Sequence, residues 1–141
     1  MLEGFGVEAQ QKLKAASVLV VGAGGLGCPA LQYLASAGVG RIGIIDNDVI
    51  EISNLQRQFL YLSTDVGKSK SECAAKRLSQ HNPNIQAEPH TKRLSQHNIT
   101  EIFKMYDVII DGSDNFETRY LVNDACVILG KPLVFGAIFK F

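Results

Sequence analysis

The sequence lacks the features of a secreted, disulfide-stabilised protein. Tryptophan is absent, and the three cysteines, Cys28, Cys73 and Cys126, form no C-x-x-C pair. An odd, scattered set excludes a disulfide framework and is typical of a reducing compartment. We therefore expect three small buried side chains rather than nucleophiles, and a cytoplasmic protein.

Zinc ligands, an excess charge and long apolar runs are also missing. The three histidines have neither one another nor cysteines at zinc-ligand spacing. Lys plus Arg (14) equals Asp plus Glu (14), which argues against nucleic acid or an anionic membrane as a partner. Glycines, a proline and polar residues interrupt the apolar stretch 18–39, so we expect no membrane span. The first 14 residues lack the apolar segment of a signal peptide.

The strongest local pattern is a glycine-rich turn between two apolar segments. Residues 18–21 predict a strand, residues 22–27 read GAGGLG, residues 26–37 carry apolar side chains at helical spacing, and residues 41–45 predict a second strand. This order is typical of a βαβ nucleotide-binding unit.

Each glycine of the turn has a separate expected role. Gly22 allows a tight turn, Gly24 and Gly25 allow the backbone to approach a ligand, and Gly27 lets the helix lie close to the strand. Asp46, at the end of the second strand, is placed to accept hydrogen bonds from ribose hydroxyls. The pattern leaves open NAD or FAD, ATP, or a structural remnant that binds no nucleotide.

The remaining sequence alternates helices and strands. Helices are predicted at 68–81, 98–106 and 116–129, and strands at 85–89, 108–111 and 133–136. The alternation predicts an α/β fold, a Rossmann-like, doubly wound and mostly parallel sheet with helices on both faces. The heptapeptide KRLSQHN occurs at 76–82 and 92–98; we expect the first copy to end a helix and the second to lead into one.

Polar residues cluster at the predicted carboxyl edge of the sheet, where ligands of such folds bind. Asp46 and Asp48 follow the second strand, GSDN (112–115) follows a later strand, and Arg57 and Lys70 lie on predicted helices reached from this edge. Two cations suit a nucleoside triphosphate, whereas Asp114 would require Mg²⁺ between its carboxylate and phosphate.

Simpler explanations exist for each of these residues. Arg57 and Lys70 could be solvated helix residues, and Asp114 could cap the helix that begins at Phe116. Ser53 or Asn54 could cap a helical turn that carries Arg57 and have no role in binding a ligand. The spacing alone does not decide between these alternatives.

Three longer strings carry a family resemblance. GAGGLGCPALQYLASAGVGRIGIIDNDVIEISNLQRQ, GKSK and DVIIDGSDNFETRYLVNDAC resemble the ThiF/MoeB/HesA family, adenylating enzymes related to ubiquitin-activating enzymes. The resemblance implies a homodimer that adenylates, with ATP and Mg²⁺, the C-terminal glycine carboxylate of a small ubiquitin-like sulfur-carrier protein ending in Gly-Gly. Such carriers serve molybdopterin, thiamine or thio-tRNA sulfur transfer. The alternatives are an NAD-dependent oxidoreductase domain and a non-catalytic nucleotide-binding module.

The resemblance also implies site residues. Asp46 would hold the ribose, Arg57 and Lys70 would contact phosphates, and Asp114 would bind magnesium beside Asn115; Arg57, Lys70 and Asp114 form the implied catalytic set. The implied nucleotide-binding set is Gly22, Gly24, Gly25, Gly27, Asp46, Asp48, Ser53, Asn54, Leu55, Gln56, Arg57, Gln58, Lys70, Asp114 and Asn115.

The sequence departs from the family pattern at both ends. Family members usually carry an Arg-Tyr-x-Arg-Gln segment upstream and continue into further strands with two C-x-x-C zinc pairs, whereas residues 1–5 contain no arginine and this chain carries no such zinc ligands. We therefore expect residues 1–141 to form a single ATP-binding Rossmann-like domain, the N-terminal half of a ThiF-type adenylation domain.

Overall fold

The computed structural model describes residues 3–137, which form a five-stranded sheet in the order β3-β2-β1-β4-β5. The strands are β1 (Ser17–Val21), β2 (Arg41–Ile45), β3 (Gln86–His90), β4 (Val108–Asp111) and β5 (Leu133–Phe135). The helices are α1 (Val7–Ala15), α2 (Gly27–Ala37), α3 (Lys70–His81), α4 (Ile99–Lys104) and α5 (Phe116–Leu129). Two short 3₁₀ turns, Ile52–Asn54 and Ser63–Asp65, lie between β2 and α3.

All four strand pairs are parallel, which confirms the predicted α/β fold class. The predicted bounds of β2, β4 and α5 agree with the structure, and the other elements begin or end within two residues of their predicted bounds. Across residues 3–137, every helix is too short or too polar to cross a bilayer.

The sheet separates two apolar cores. On one face, side chains of β1 and β2 pack against α2 and α3, including Leu31 and Leu78. On the other face, β1 and β4 pack against α4 and α5, including Phe103 and Val122. All five residues of β1 are buried, because helices cover this central strand on both faces.

The two copies of KRLSQHN adopt different structures, as predicted. Residues 76–81 lie in the last turns of α3, where the Asn82 side chain donates a hydrogen bond to the carbonyl of Ala35 at 2.9 Å. Residues 92–98 are non-helical and precede α4. In the second copy the Asn98 side chain donates instead to the carbonyl of Arg93, within its own loop.

The strand order positions the binding edge. The neighbours of β1 are β2 on one side and β4 on the other, so the chain crosses from one half of the sheet to the other beside β1. Loops that follow β1, β2 and β4 therefore diverge at the carboxyl edge and leave a crevice, which is where open α/β sheets bind ligands.

Candidate functional site

A cleft of about 790 Å³ opens at this crevice. Its walls come from the glycine turn after β1, the segment after β2, the first turn of α3, the loop after β3, and the loop between β4 and α5. The predicted site residues that line it are Gly22, Gly24, Gly25, Asp46, Asp48, Asn54, Arg57, Gln58, Lys70, Asp114 and Asn115.

The glycine turn has the backbone geometry expected of it. Gly22 has a φ of +91°, in the region that favours glycine. A Cβ on Gly27 would lie 1.8 Å from the carbonyl oxygen of Gly22, so only glycine allows α2 to begin against the turn. The structural roles of Gly22 and Gly27 are confirmed, and the approach of a ligand to Gly24 and Gly25 stays a prediction.

Asp46 connects the end of β2 to the glycine turn. Its Oδ2 accepts a hydrogen bond from the backbone N–H of Ala23 at 2.8 Å, and its Oδ1 accepts one from the N–H of Asp48 at 2.8 Å. Burial raises the pKa of Asp46, although these two hydrogen bonds and the positive charge of Lys70 oppose the shift. Each carboxylate oxygen has a second lone pair, so Asp46 retains capacity for a ribose hydroxyl.

The segment after β2 is a compact turn, and the prediction that Ser53 or Asn54 caps a helical turn carrying Arg57 is wrong in the identity of the N-cap residue. Glu51 is the N-cap residue of the 3₁₀ turn, and its N–H donates to the Asn54 side chain at 2.9 Å. Arg57 lies in the following turn, where its Nη1 donates to the carbonyl of Ser53 at 3.1 Å. Asn54 accepts the N–H of Glu51 at the third position of the 3₁₀ turn, in a capping box that fixes where the turn begins.

Gln58 presents a buried polar group beside the glycine turn. The residue is 3% exposed, and its Oε1 has no hydrogen-bond partner among the residues that the structure describes. Its Nε2 would lie 3.5 Å from a Cβ on Gly24. A buried acceptor without a partner is rare in folded proteins, and a ligand donor in the cleft would satisfy it.

Lys70 is the first residue of α3 and is only 7% exposed. Within residues 3–137 its ammonium group makes no hydrogen bond or ion pair, so the alternative of a solvated helix residue is wrong. Lys70 lines the cleft, and its positive charge acts on Asp46, so an anion bound in the cleft would find a cation already oriented there. Arg57, by contrast, is exposed at the rim.

Asp114 does not cap α5. The side chain of Asn115 accepts the N–H of Thr118 at 2.8 Å, so Asn115 is the N-cap residue. Asp114 is exposed, and its carboxylate has no hydrogen bond or ion pair in the described part of the chain. The alternative of a capping role is therefore wrong, and the carboxylate is available to a ligand.

The residues present fit a magnesium ion that is bound together with phosphate. No group of three or more His, Cys, Asp or Glu side chains in residues 3–137 is arranged to hold a metal by itself. Mg²⁺ prefers oxygen ligands and commonly uses one or two carboxylates, with phosphate oxygens and water completing the set. The carboxylate of Asp114 supplies a ligand of this kind.

Four predicted site residues do not line the cleft: Gly27, Ser53, Leu55 and Gln56. Conversely, sequence reasoning missed three cations that do, Lys92, Arg93 and Arg119. The first two follow β3, and the same edge rule that selected Asp46 could have found them. The local pattern around Arg119, within a helix, contains no comparable signal.

The cysteines are unsuited to nucleophilic chemistry, as expected. Cys28 and Cys126 are buried and Cys73 is partly buried. Burial raises the pKa of Cys28 to about 11, and it also raises the pKa values of Cys73 and Cys126. Few thiolates are therefore present at neutral pH.

Comparisons with known proteins identify the family and the relatives of this chain. Residues 1–141 match the model of the ThiF family. The chain is 57% identical over 141 residues to a sulfur carrier protein adenylyltransferase of Thermus thermophilus. It is 53% identical over 141 residues to a probable adenylyltransferase/sulfurtransferase, MoeZ, of Mycobacterium tuberculosis. These matches cover 100% of this chain, but they cover only 52% of the first relative and 36% of the second. The chain therefore spans about half of their length or less.

Solved structures show the same fold at lower identity. The E. coli tRNA N6-threonylcarbamoyladenosine dehydratase TcdA in complex with ATP is 30% identical with a TM-score of 0.91, over 99% of this chain and 58% of that one. E. coli MccB with ATP is 33% identical with a TM-score of 0.86, over 93% of this chain and 39% of the MccB chain. The match to the family model over residues 1–141, together with these relatives, shows that the chain belongs to the ThiF family.

Proposed function

We propose that this chain is the ATP-binding part of an enzyme that adenylates the C-terminal glycine carboxylate of a small ubiquitin-like sulfur-carrier protein. The observation that carries the proposal is the convergence of Lys70, Arg57 and Asp114 on one cleft beside the glycine turn. The names of the relatives support it, since one is a sulfur carrier protein adenylyltransferase and the other is a probable adenylyltransferase/sulfurtransferase. Residues 1–141 would then be the N-terminal half of the adenylation domain.

Each part of ATP has a matching group in the cleft. The ribose would lie at Asp46, and the backbone at Gly24 and Gly25 would approach the nucleotide. Lys70 and Arg57 would contact the phosphates. Opposite unit charges 4 Å apart attract by about 4 kcal/mol at an effective dielectric near 20, so these two contacts would contribute strongly to binding.

Asp114, beside Asn115, would hold Mg²⁺. When bound, the ion reduces the negative charge of the triphosphate. The chain itself contributes the carboxylate and the loop that presents it. Asp114 could not usefully face phosphate without the cation, because two anions would repel each other.

The reaction requires positioning and charge compensation rather than a protein nucleophile. A carboxylate oxygen of the carrier attacks the α-phosphorus, a P–O bond forms, and the bond to the bridging oxygen breaks as pyrophosphate leaves. No proton has to move. Lys70 and Arg57 would compensate the charge on the leaving group.

We propose a protein carboxylate as the substrate. The chain is more similar to the sulfur-carrier adenylyltransferase (57%) than to the tRNA-modifying dehydratase (30%), which favours a protein carboxylate over a nucleic-acid substrate. The equal numbers of acidic and basic residues also favour a partner other than nucleic acid. We further propose a cytoplasmic homodimer that acts in molybdopterin, thiamine or thio-tRNA sulfur transfer.

Carrier-dependent exchange of pyrophosphate into ATP, measured with the complete protein, tests this function. Asp114→Ala should abolish the exchange, because the magnesium ligand is lost. Asp124→Ala is the matched control, since Asp124 is exposed on α5 and does not line the cleft. Exchange at the wild-type rate in the Asp114→Ala variant would refute the assignment, as would saturable binding of NADH with no response to ATP.

A further inference from the structure

The loop that presents Asp114 is held through the peptide groups around it. The N–H of Gly112 donates to the carbonyl of Val21 at 2.8 Å, and the N–H of Ser113 donates to Asp111 Oδ1 at 2.9 Å. On the other side, Asn115 caps α5. The backbone on both sides of Asp114 is therefore fixed, whereas its carboxylate has no partner in residues 3–137.

Arg119 supplies the remaining anchor. Its Nε and Nη2 both donate to the carbonyl oxygen of Ser113, at 3.4 and 3.2 Å. This carbonyl belongs to the peptide bond that leads into Asp114. Two donors from one planar guanidinium restrain the orientation of that peptide more strongly than a single donor would.

Two aromatic rings hold the guanidinium in place. The Cζ of Arg119 lies 5.6 Å from the ring centroid of Phe116 and 4.9 Å from that of Phe135, both within the range of cation–π attraction. Arg119 forms no ion pair with Asp114, although the two residues line the same cleft. The guanidinium is thus directed to a neutral carbonyl instead of the nearby carboxylate.

We propose that Arg119 is a positioning residue that orients Asp114 for Mg²⁺ and that Phe135, with Phe116, keeps its guanidinium from neutralising the carboxylate. This inference rests on the proposed function, because it assigns Asp114 to magnesium. If the aromatic contact is removed, Arg119 can turn towards Asp114 and compete with the metal. Loss of Arg119 itself releases the Ser113 peptide, and the Asp114 carboxylate is then no longer held in position for Mg²⁺.

The experiment measures how much Mg²⁺ increases nucleotide affinity. α,β-Methylene-ATP, which resists cleavage at the α–β position, is titrated into the complete protein by calorimetry, with Mg²⁺ or with EDTA. The magnesium ratio is the affinity with Mg²⁺ divided by that with EDTA. It reports the metal ligand separately from the other nucleotide contacts, without requiring turnover.

Two variants test the proposal, each with a matched control. Arg119→Gln should lower the magnesium ratio at least fivefold, whereas Lys104→Gln removes one positive charge from the exposed surface of α4, away from the cleft, and should leave the ratio within twofold of wild type. Phe135→Leu should also lower the ratio, whereas Phe135→Tyr keeps an aromatic face and should preserve it. Far-UV circular dichroism verifies that each variant is folded.

The outcomes separate this inference from the proposed function. If Asp114→Ala removes the magnesium ratio but Arg119→Gln and Phe135→Leu preserve it, Arg119 has no positioning role and the proposed function stands. If Arg119→Gln does not fold, the Phe135 variants decide: an unchanged ratio in Phe135→Leu overturns the inference. Failure of the wild-type protein to bind the analogue would overturn the proposed function itself.

Discussion

Gly27 and Gly24 should respond to the same substitution in opposite ways, although they are three residues apart in one turn. An alanine Cβ at Gly27 would lie 1.8 Å from the carbonyl oxygen of Gly22, about 1.5–2 Å closer than ordinary contact. Both groups belong to rigid backbone, so the start of α2 must move away from the turn. At Gly24 the same Cβ would meet only Gln58 Nε2, at 3.5 Å, which is ordinary contact.

The expected magnitude follows from these distances. Overpacking costs roughly 1–3 kcal/mol or more, and better helix propensity returns less than about 1 kcal/mol. Gly27→Ala should therefore lower the free energy of unfolding by about 2 kcal/mol or more, and Tm by roughly 6 °C at about 3–4 °C per kcal/mol. Gly24→Ala should change the free energy of unfolding by less than about 1 kcal/mol, since alanine reduces the conformational entropy of the unfolded chain.

Ligand binding should show the reverse order. Gly24 lines the cleft and Gly27 does not, so a methyl group at Gly24 occupies space beside the nucleotide. We expect Gly24→Ala to weaken ATP binding at least fivefold. Thermal unfolding by far-UV circular dichroism suits the first measurement, because residues 1–141 contain no tryptophan; calorimetric titration with ATP suits the second. A Gly27→Ala variant that melts within 2 °C of wild type would refute the packing argument.

Two further predictions concern titratable groups. Burial and the positive charge of Arg41 lower the pKa of His90 below 6.5, against the opposing carboxylate of Glu88. The unfolded chain therefore binds the proton first, and the free energy of unfolding should fall as pH decreases from about 7.5 to 5.5. Urea unfolding at several pH values should show a flatter pH dependence for His90→Gln than for wild type, and an unchanged pH dependence would contradict this. Iodoacetamide at pH 8 should modify partly buried Cys73 before Cys28, because Cys28 is buried and its pKa is raised to about 11. Peptide mass spectrometry measures the two alkylation rates, and equal rates would contradict the assigned burial.

Element order and the location of the cleft could be predicted from the sequence. Both depend on local features: apolar periodicity defines β1, β2 and α2, and glycines at 22 and 27 satisfy steric requirements of one turn. The carboxyl-edge rule then places Asp46 and Lys70 at the cleft without knowledge of side-chain contacts. These predictions succeeded because each depends on a local pattern or on the position of a residue relative to the end of a strand.

Residue roles that depend on competing hydrogen bonds could not be predicted. Either Asp114 or Asn115 can cap a helix, and only the backbone path after β4 selects Asn115. In the segment with Arg57, the Asn54 side chain accepts the N–H of Glu51 and closes a tight turn, and Gln58 is buried beside the glycine turn.

The sequence by itself determined the parallel α/β architecture and the edge at which polar residues gather, because these follow from periodicity, glycine sterics and the positions of residues relative to strand ends. The family was indicated by the resemblance of three longer strings. Tertiary structure decided which groups face one another: it buried Lys70 at the cleft and directed Arg119 to the Ser113 carbonyl beside Phe135. It also made one KRLSQHN copy helical and the other not. Contacts between residues far apart in the chain carry this information, and no local pattern encodes them.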